Sequence, residues 1–330
     1  MVDSAECGRA QIDRRAMSGL IRRILERTPV LEPVVRFAAG WKVRTAVRAA
    51  GCQVQISRAH IDVTRGKQVV RLNPKHIMFA PDVAVHFDAY WSSVAPVDGT
   101  SMVDFSAPAR HLIPALGAAL WQSGLVEEVE TIQGYLKHDP PRAGETVFDL
   151  GSNCGVSVYV FSRAVGAAGH VVAFEPDPLN REMLTRNVQE LALANVDVRD
   201  VAVAGTSGQL RFNSEGSLGA ALSHVVSRAG LVQTIEVTAM TLADACEACG
   251  RVPDFIKMDV EGAEEEVLAG AQEWLRTHRP RWVIDTHHQI DGKFTDAAVE
   301  RLLTACRYRA WTELVGGFRT TFAVPEELSP

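Results

Sequence analysis

Residues 145–190 read as a strand, a tight turn, a helix and a second strand, with an acid near the end of each strand. That succession commits the chain to a parallel α/β sheet. The first strand carries Thr146, Val147, Phe148, Asp149 and Leu150, and it runs into Gly151-Ser152-Asn153-Cys154-Gly155. An apolar stretch of helical length follows. Glycines at a turn allow positive φ and close approach of the backbone to a ligand. The helix N-terminus beyond them is expected to offer free N–H groups. The second strand, around 171–175, ends in Glu175, 24 residues past Gly151. A doubly wound fold places near there the carboxylate that accepts both ribose hydroxyls.

The turn does not fit a nicotinamide dinucleotide. That fingerprint is G-x-G-x-x-G, and its middle glycine lets the pyrophosphate lie against the backbone. Here Asn153 interrupts the pattern, and Asp149 brings an acid to the turn. A pyrophosphate is repelled by that acid, and an ammonium is attracted. S-adenosylmethionine carries no phosphate. Its ribose diol, sulfonium and amino-acid head suit acids at both strand ends. An α/β turn with no ligand is the plain structural alternative.

A second run, Asp254-Phe255-Ile256-Lys257-Met258-Asp259-Val260-Glu261-Gly262-Ala263-Glu264, adds a further constraint. With it the chain resembles the FkbM family of methyltransferases. That family shows a D-x-G-A/S-N-x-G turn, an E-P-D-P at the second strand and a D-F-I-K-x-D-V-E-G-A-E run at the fourth. All three stand here in order, at Asp149–Gly155, Glu175-Pro176-Asp177-Pro178 and Asp254–Glu264. The resemblance covers about residues 125–325. It implies a Rossmann-like class I methyltransferase fold, α/β, with a mostly parallel seven-stranded sheet and an antiparallel last strand. It also implies S-adenosyl-L-methionine as cofactor and a natural-product or saccharide hydroxyl as acceptor.

From residue 145 the pattern alternates strand and helix. Strands are expected near 146–150, 171–175, 196–201, 254–258, 281–286, 309–314 and 318–324. Helices are expected near 155–165, 178–192, 241–249, 262–277 and 295–306. Ahead of them lies an N-terminal helical and small β region, placed at 1–110, with the methyltransferase domain at 111–330. Met17, Leu20, Ile21, Ile24 and Leu25 repeat at helical spacing. A second helix is expected over 33–50, with Val34, Phe37 and Trp41 on one side. Residues 53–72 alternate, with a hairpin turn at Arg65-Gly66. Residues 1–60 hold 11 basic and 5 acidic side chains, against a whole-chain net charge of −6. Peripheral membrane contact by the first helix is one reading of that charge; packing on its own domain is the plainer one.

The acidic balance argues against a nucleic-acid partner. There is no apolar run of spanning length and no secretory h-region at the N-terminus, so a cytoplasmic location is expected. Six cysteines fit a reduced set. Cys246 and Cys249 form a lone C-x-x-C, read as two small thiols on a helix, and Cys154 as a small turn residue.

Ligands of open α/β sheets bind at the carboxyl ends of the strands. That places Asp149, Glu175, Asp200, Asp259 and His287 along one rim. Gly151, Ser152, Asn153 and Gly155 are expected beside the methionine half, Glu175 and Pro176 at the ribose, and Asp200 and Val201 at the adenine. Asp177 and Asn180 are read as helix caps. Asp259 is a candidate to hold the cofactor ammonium or steer an acceptor hydroxyl. His287 is the candidate base, with an ordinary pKa of about 6.5. Strand alternation turns His288 to the other face. The spacing demands no metal. The rival functions are a binding protein that keeps the cofactor fold without turnover, and a nicotinamide-dependent oxidoreductase.

Overall fold

The computed structural model describes residues 32–97, 99–125, 129–214, 221–222, 233–290 and 292–328. The stripe of Met17 to Leu25 lies outside the described residues. The chain divides between Ala118 and Ala119 into two compact units. The first holds α1 (Glu32–Ala49), β1 (Gln53–Ile56), β2 (Ile61–Arg65), β3 (Gln68–Leu72), α2 (Ala80–Val85), α3 (Phe87–Ser93), β4 (Met102–Phe105) and β5 (Ala109–Ile113). β1, β2 and β3 pair antiparallel in sequence, and β4 joins β3 in parallel. The expected hairpin forms: Gly66 takes φ +63 between β2 and β3. α1 forms where expected, yet Trp41 is 62% exposed and the buried side carries Val43 and Val47. Trp41 is therefore not on the buried side, and the side chains of Val34 and Phe37 lie outside the described residues.

The second unit opens on β6 (Ala118–Gln122) and α4 (Val129–Gly134). It continues through β7 (Thr146–Leu150), α5 (Val156–Val165), β8 (His170–Phe174), α6 (Pro178–Glu190) and β9 (Val196–Arg199). Next come β10 (Ala202–Val203), β11 (Gly208–Ser214), β12 (Ala221–Leu222) and β13 (Gln233–Met240). The chain proceeds through α7 (Leu242–Cys249), β14 (Phe255–Met258), α8 (Glu264–Gly270), α9 (Gln272–His278) and β15 (Arg281–Asp285). It ends with β16 (Gln289–Ile290), β17 (Lys293–Phe294), α10 (Asp296–Ala305), β18 (Tyr308–Val315) and β19 (Phe318–Pro325).

The main sheet has seven strands in the order β18-β19-β15-β14-β7-β8-β9. β9, β8, β7, β14 and β15 run parallel, and β19 runs against both β15 and β18. This is the class I methyltransferase sheet. All residues of β14 and β15 are buried, as are the last four of β7 and of β8. Strands covered on both faces are read as apolar runs for that reason. The chain builds outward from β7 to β9, then crosses back to β14, so the switch point lies between β7 and β14.

Two features depart from the expected pattern. The described residues between 202 and 240 form a separate four-stranded sheet, β10-β13-β11-β12. The expected helix over 262–277 is two helices that meet at Ala271. A Cβ on Gly270 would stand 2.6 Å from the carbonyl oxygen of Gly205, so the chain passes its neighbour at backbone distance there. No helix among the described residues is long and apolar enough to cross a membrane.

Candidate cofactor and acceptor site

The turn after β7 uses every backbone N–H it has. Gly151 and Ser152 both donate to the Phe174 carbonyl, at 3.0 and 3.1 Å. Asn153 N–H donates to Glu175 Oε2 at 2.7 Å, and Cys154 N–H to the Asn153 side-chain oxygen at 2.7 Å. Gly155 N–H donates to the Ser152 carbonyl at 2.8 Å. The donors of the turn itself, from Gly151 to Gly155, are thus already engaged. A phosphate would have to displace Glu175 to find one. This closes the turn to the anion that a dinucleotide presents.

The two glycines have different structural causes. Gly151 sits at φ +79, and a Cβ there would lie 1.9 Å from the Asp259 carbonyl oxygen. Gly155 sits at φ +86, and its Cβ would lie 2.4 Å from Leu184 Cδ1 on α6. Gly151 thus lets the β7 and β14 loops touch, and Gly155 lets a helix pack. Asn153, at φ +49, takes a conformation that asparagine tolerates. The Cys154 thiol is buried, and burial pushes its pKa up to about 12, which leaves it unreactive. Cys246 is buried and Cys249 half-buried on α7.

Asp149 does not face a ligand. Its side chain is fully buried, accepts from the Ser157 hydroxyl at 2.6 Å and lies 3.4 Å from Lys257 Nζ. Burial raises its pKa against the pull of Lys257 and Ser157. The acid expected at the turn instead points into the protein. Lys257, unassigned in the sequence reading, is the missing partner. It also donates to the Gly151 carbonyl at 2.8 Å, so one buried cation ties the acid to the turn. Ser152 is buried too, its hydroxyl donating to the Asp149 carbonyl at 2.8 Å.

A pocket opens at the carboxyl ends of β7, β8 and β14. Of the residues expected to hold a ligand, Gly151, Asn153, Glu175, Pro176, Val201 and Asp259 line it. Asp149, Ser152, Gly155, Asp200 and His287 are not on its wall. Asp200 instead pairs with Arg181 at 2.6 Å, with its side chain 65% exposed. β9 ends at Arg199, one residue before it. The pocket also gains Phe174, Asn180, Val203 and Phe212, the last two from the inserted sheet. Asp177 caps α6 by accepting from Leu179 and Asn180 N–H.

Glu175 is the buried acid of this pocket. Its Oε1 accepts from Asp177 N–H at 2.8 Å and its Oε2 from Asn153 N–H at 2.7 Å. Burial, with Asp177 adding to it, pushes its pKa up to about 8. A carboxylate oxygen accepts more than one donor. Each oxygen of Glu175 therefore retains a site for a hydroxyl.

Beyond β15 His288 does not turn to the other face as expected. The strand ends at Asp285, so its alternation does not reach residues 287 and 288. Asp285 is buried and accepts from the Tyr135 and Thr320 hydroxyls. The His287 ring packs 4.9 Å from Phe318 and 4.2 Å from His288. It is His288 that turns toward the β14 loop. Its Nε2 lies 3.6 Å from Asp259 Oδ1 and 3.7 Å from Glu261 Oε2, and its Nδ1 lies 3.0 Å from Glu264 Oε1. Burial lowers the His288 pKa, but Glu264, Glu261 and Asp259 outweigh it and raise it to about 10. Asp259 is held below its usual value although burial opposes this, because Lys257, His288 and His287 favour its charge. Glu261 carries φ +55, a costly conformation outside turns that favour it.

These residues fit S-adenosylmethionine. The buried Glu175 carboxylate suits a diol, the apolar wall of Phe174, Val201, Val203 and Phe212 suits a flat ring, and the ionised Asp259 suits a cation. The closed N–H turn asks for no phosphate.

Comparison with known proteins gives the following. The model of the methyltransferase FkbM domain matches residues 149–310. The hexuronic acid methyltransferase AglP of Haloferax volcanii is 28% identical over 149 residues, 45% of this chain and 59% of that protein. The chain thus spans less than two thirds of that relative. Among solved structures, the methyltransferase FkbM of Methylobacillus flagellatus KT matches 88% of this chain and 60% of its own, at 14% identity and a TM-score of 0.45. A SAM-dependent methyltransferase of Aquifex aeolicus matches 59% of this chain and 90% of its own, at 18% identity and a TM-score of 0.38.

Proposed function

The chain belongs to the FkbM family of S-adenosylmethionine-dependent methyltransferases, and from that premise we propose that it methylates a hydroxyl oxygen on a saccharide or another small molecule. The observation that carries this reading is the pocket in which Glu175, Val201, Phe212 and Asp259 meet at the switch point. The cofactor, when bound, supplies a methyl group already activated by a sulfonium. Glu175 would accept the ribose hydroxyls, and the Phe174, Val201, Val203 and Phe212 side chains would enclose the adenine. Asp259 offers its negative charge to the cationic end of the ligand. The positive charge falls as the methyl moves, so the protein has little charge to stabilise. Its work is orientation and exclusion of water, worth up to roughly 7–11 kcal/mol in well-oriented cases.

An acceptor hydroxyl must also lose its proton near the transition state. His288, held protonated by its carboxylates, does not serve. His287, next to it and packed on Phe318, takes that proton in our reading. Support for a sugar acceptor comes from the similarity to a hexuronic acid methyltransferase.

The test is incubation with methyl-deuterated S-adenosylmethionine and a panel of uronic acids, neutral sugars, phenols and amines. Label in an O-methyl group of a saccharide or another hydroxyl compound supports the proposal. Label only on nitrogen, or none on any acceptor, contradicts it.

A further inference from the structure

We propose that Asp259, Glu264 and His288 form a site for a divalent transition-metal ion, Mn2+ or Zn2+, against the wall of the cofactor pocket. One oxygen or nitrogen from each of the three lies within 4.8 Å of the others. They come from three places in the chain: the end of β14, the first residue of α8 and the segment after β15. Two turns of sequence therefore converge on one point.

The second observation is polar atoms without hydrogen bonds. Asp259 Oδ1, Glu264 Oε2 and His288 Nε2 are buried and make no hydrogen bond among the described residues, while His288 Nδ1 reaches Glu264 Oε1 at 3.0 Å. The Glu264 side chain is fully buried and that of His288 is 10% exposed. Glu264 Oε1 does accept from the Gly262 N–H at 2.9 Å, which fixes its carboxyl and leaves the other oxygen over. Buried polar atoms are nearly always satisfied, so several together call for a missing partner.

Charge points to a cation. Three carboxylates, Asp259, Glu261 and Glu264, face one imidazole within 3.7 Å. A divalent ion that displaces the proton of His288 would balance them where a single imidazolium does not. One nitrogen with carboxylate oxygens is a donor set for Mn2+ or Zn2+ rather than for Ca2+, which takes oxygen alone. Glu261, with its left-handed backbone, stands close enough to add a further oxygen. Asp259 and Glu261 also line the pocket. An ion held there would bind an acceptor hydroxyl and lower its pKa. That role rests on the proposed function; ion binding itself does not.

The experiment uses tag-free full-length protein, stripped with chelator and titrated with Mn2+ by electron paramagnetic resonance and with Zn2+ by calorimetry. One equivalent bound at micromolar affinity or tighter is expected, with a raised thermal midpoint. Glu264→Gln and His288→Ala should each weaken it by at least about 100-fold, since each removes a ligand. No stoichiometric binding, or binding unchanged in both variants, overturns the site. Should the variants fail to fold, the Mn2+ spectrum of the wild-type protein decides: coupling to an imidazole nitrogen supports the site, and its absence overturns it. A parallel titration with S-adenosylmethionine separates the two ideas, because cofactor binding without ion binding removes only this one.

Discussion

The carbonyl oxygen of Asp259 occupies the place where Gly151 would carry a Cβ, 1.9 Å from it. The loop after β7 and the loop after β14 therefore touch backbone to side-chain position, with no room between them. Gly151→Ala must strain a φ of +79 and push the Asp259 loop away from the pocket. We expect a loss of about 1–3 kcal/mol in stability and at least tenfold weaker cofactor binding. Thermal unfolding and calorimetry read the two effects separately, and an alanine variant with wild-type affinity would show that the contact does not shape the pocket.

Glu175 links the cofactor to pH. Its pKa is raised to about 8 from 4.5 in the free protein. Hydroxyls that donate to it favour the carboxylate, so binding should lower that pKa. Near pH 7 a proton then leaves as the cofactor enters. Calorimetry in buffers of different ionisation enthalpy should show release of a fraction of a proton, lost in Glu175→Gln. The sign for folding is opposite to that of a paired surface acid. A raised folded-state pKa gives stability that is full below about 4.5 and declines as pH rises through about 8. The thermal midpoint of Glu175→Gln should therefore fall less over that window than that of the wild type.

Lys257 and Asp149 form a buried pair whose members depend on each other. Removal of one charge leaves the other unpaired in the interior, at a cost of about 3–5 kcal/mol. Lys257→Met should lower stability by that order. The double variant Lys257→Met, Asp149→Leu should recover part of it, and urea unfolding of all four proteins gives the coupling. A double variant as unstable as the sum of the singles would refute the pairing.

Asp200 offers a contrast inside the same rim. Its partner is Arg181, and its side chain is 65% exposed. Exposed pairs contribute about 0–1 kcal/mol. Asp200→Ala should change cofactor affinity by less than about threefold, whereas Glu175→Ala should remove most of it. A large loss in Asp200→Ala would place it back at the ligand.

The strands of the main sheet are legible because buried parallel strands are apolar runs that break at glycine and proline. Phe148, Val172 and Ile256 are read correctly on that basis, and so is the antiparallel last strand, by resemblance. The inserted sheet is not legible. β11 reads Gly-Gln-Leu-Arg-Phe-Asn-Ser, with most of its residues exposed or half-buried, and its one pocket residue, Phe212, has no periodic neighbour. The turn of His288 toward the β14 loop has a different cause. Alternation is a property of a strand, and β15 ends before His287. Asp149 shows a third kind of limit. An acid at a strand end is visible in sequence, but the buried lysine that claims it lies 108 residues further on. Such a partner is a matter of three-dimensional register, since Lys257 pairs with Asp149 across β7 and β14.

The most direct test of the account is calorimetric titration of the wild-type protein and Glu175→Ala with S-adenosylmethionine and its demethylated product, beside NADH. The account predicts one site of micromolar affinity for both methionine-derived ligands, loss of that site in the variant, and no binding of NADH. NADH binding with none of S-adenosylmethionine would contradict it.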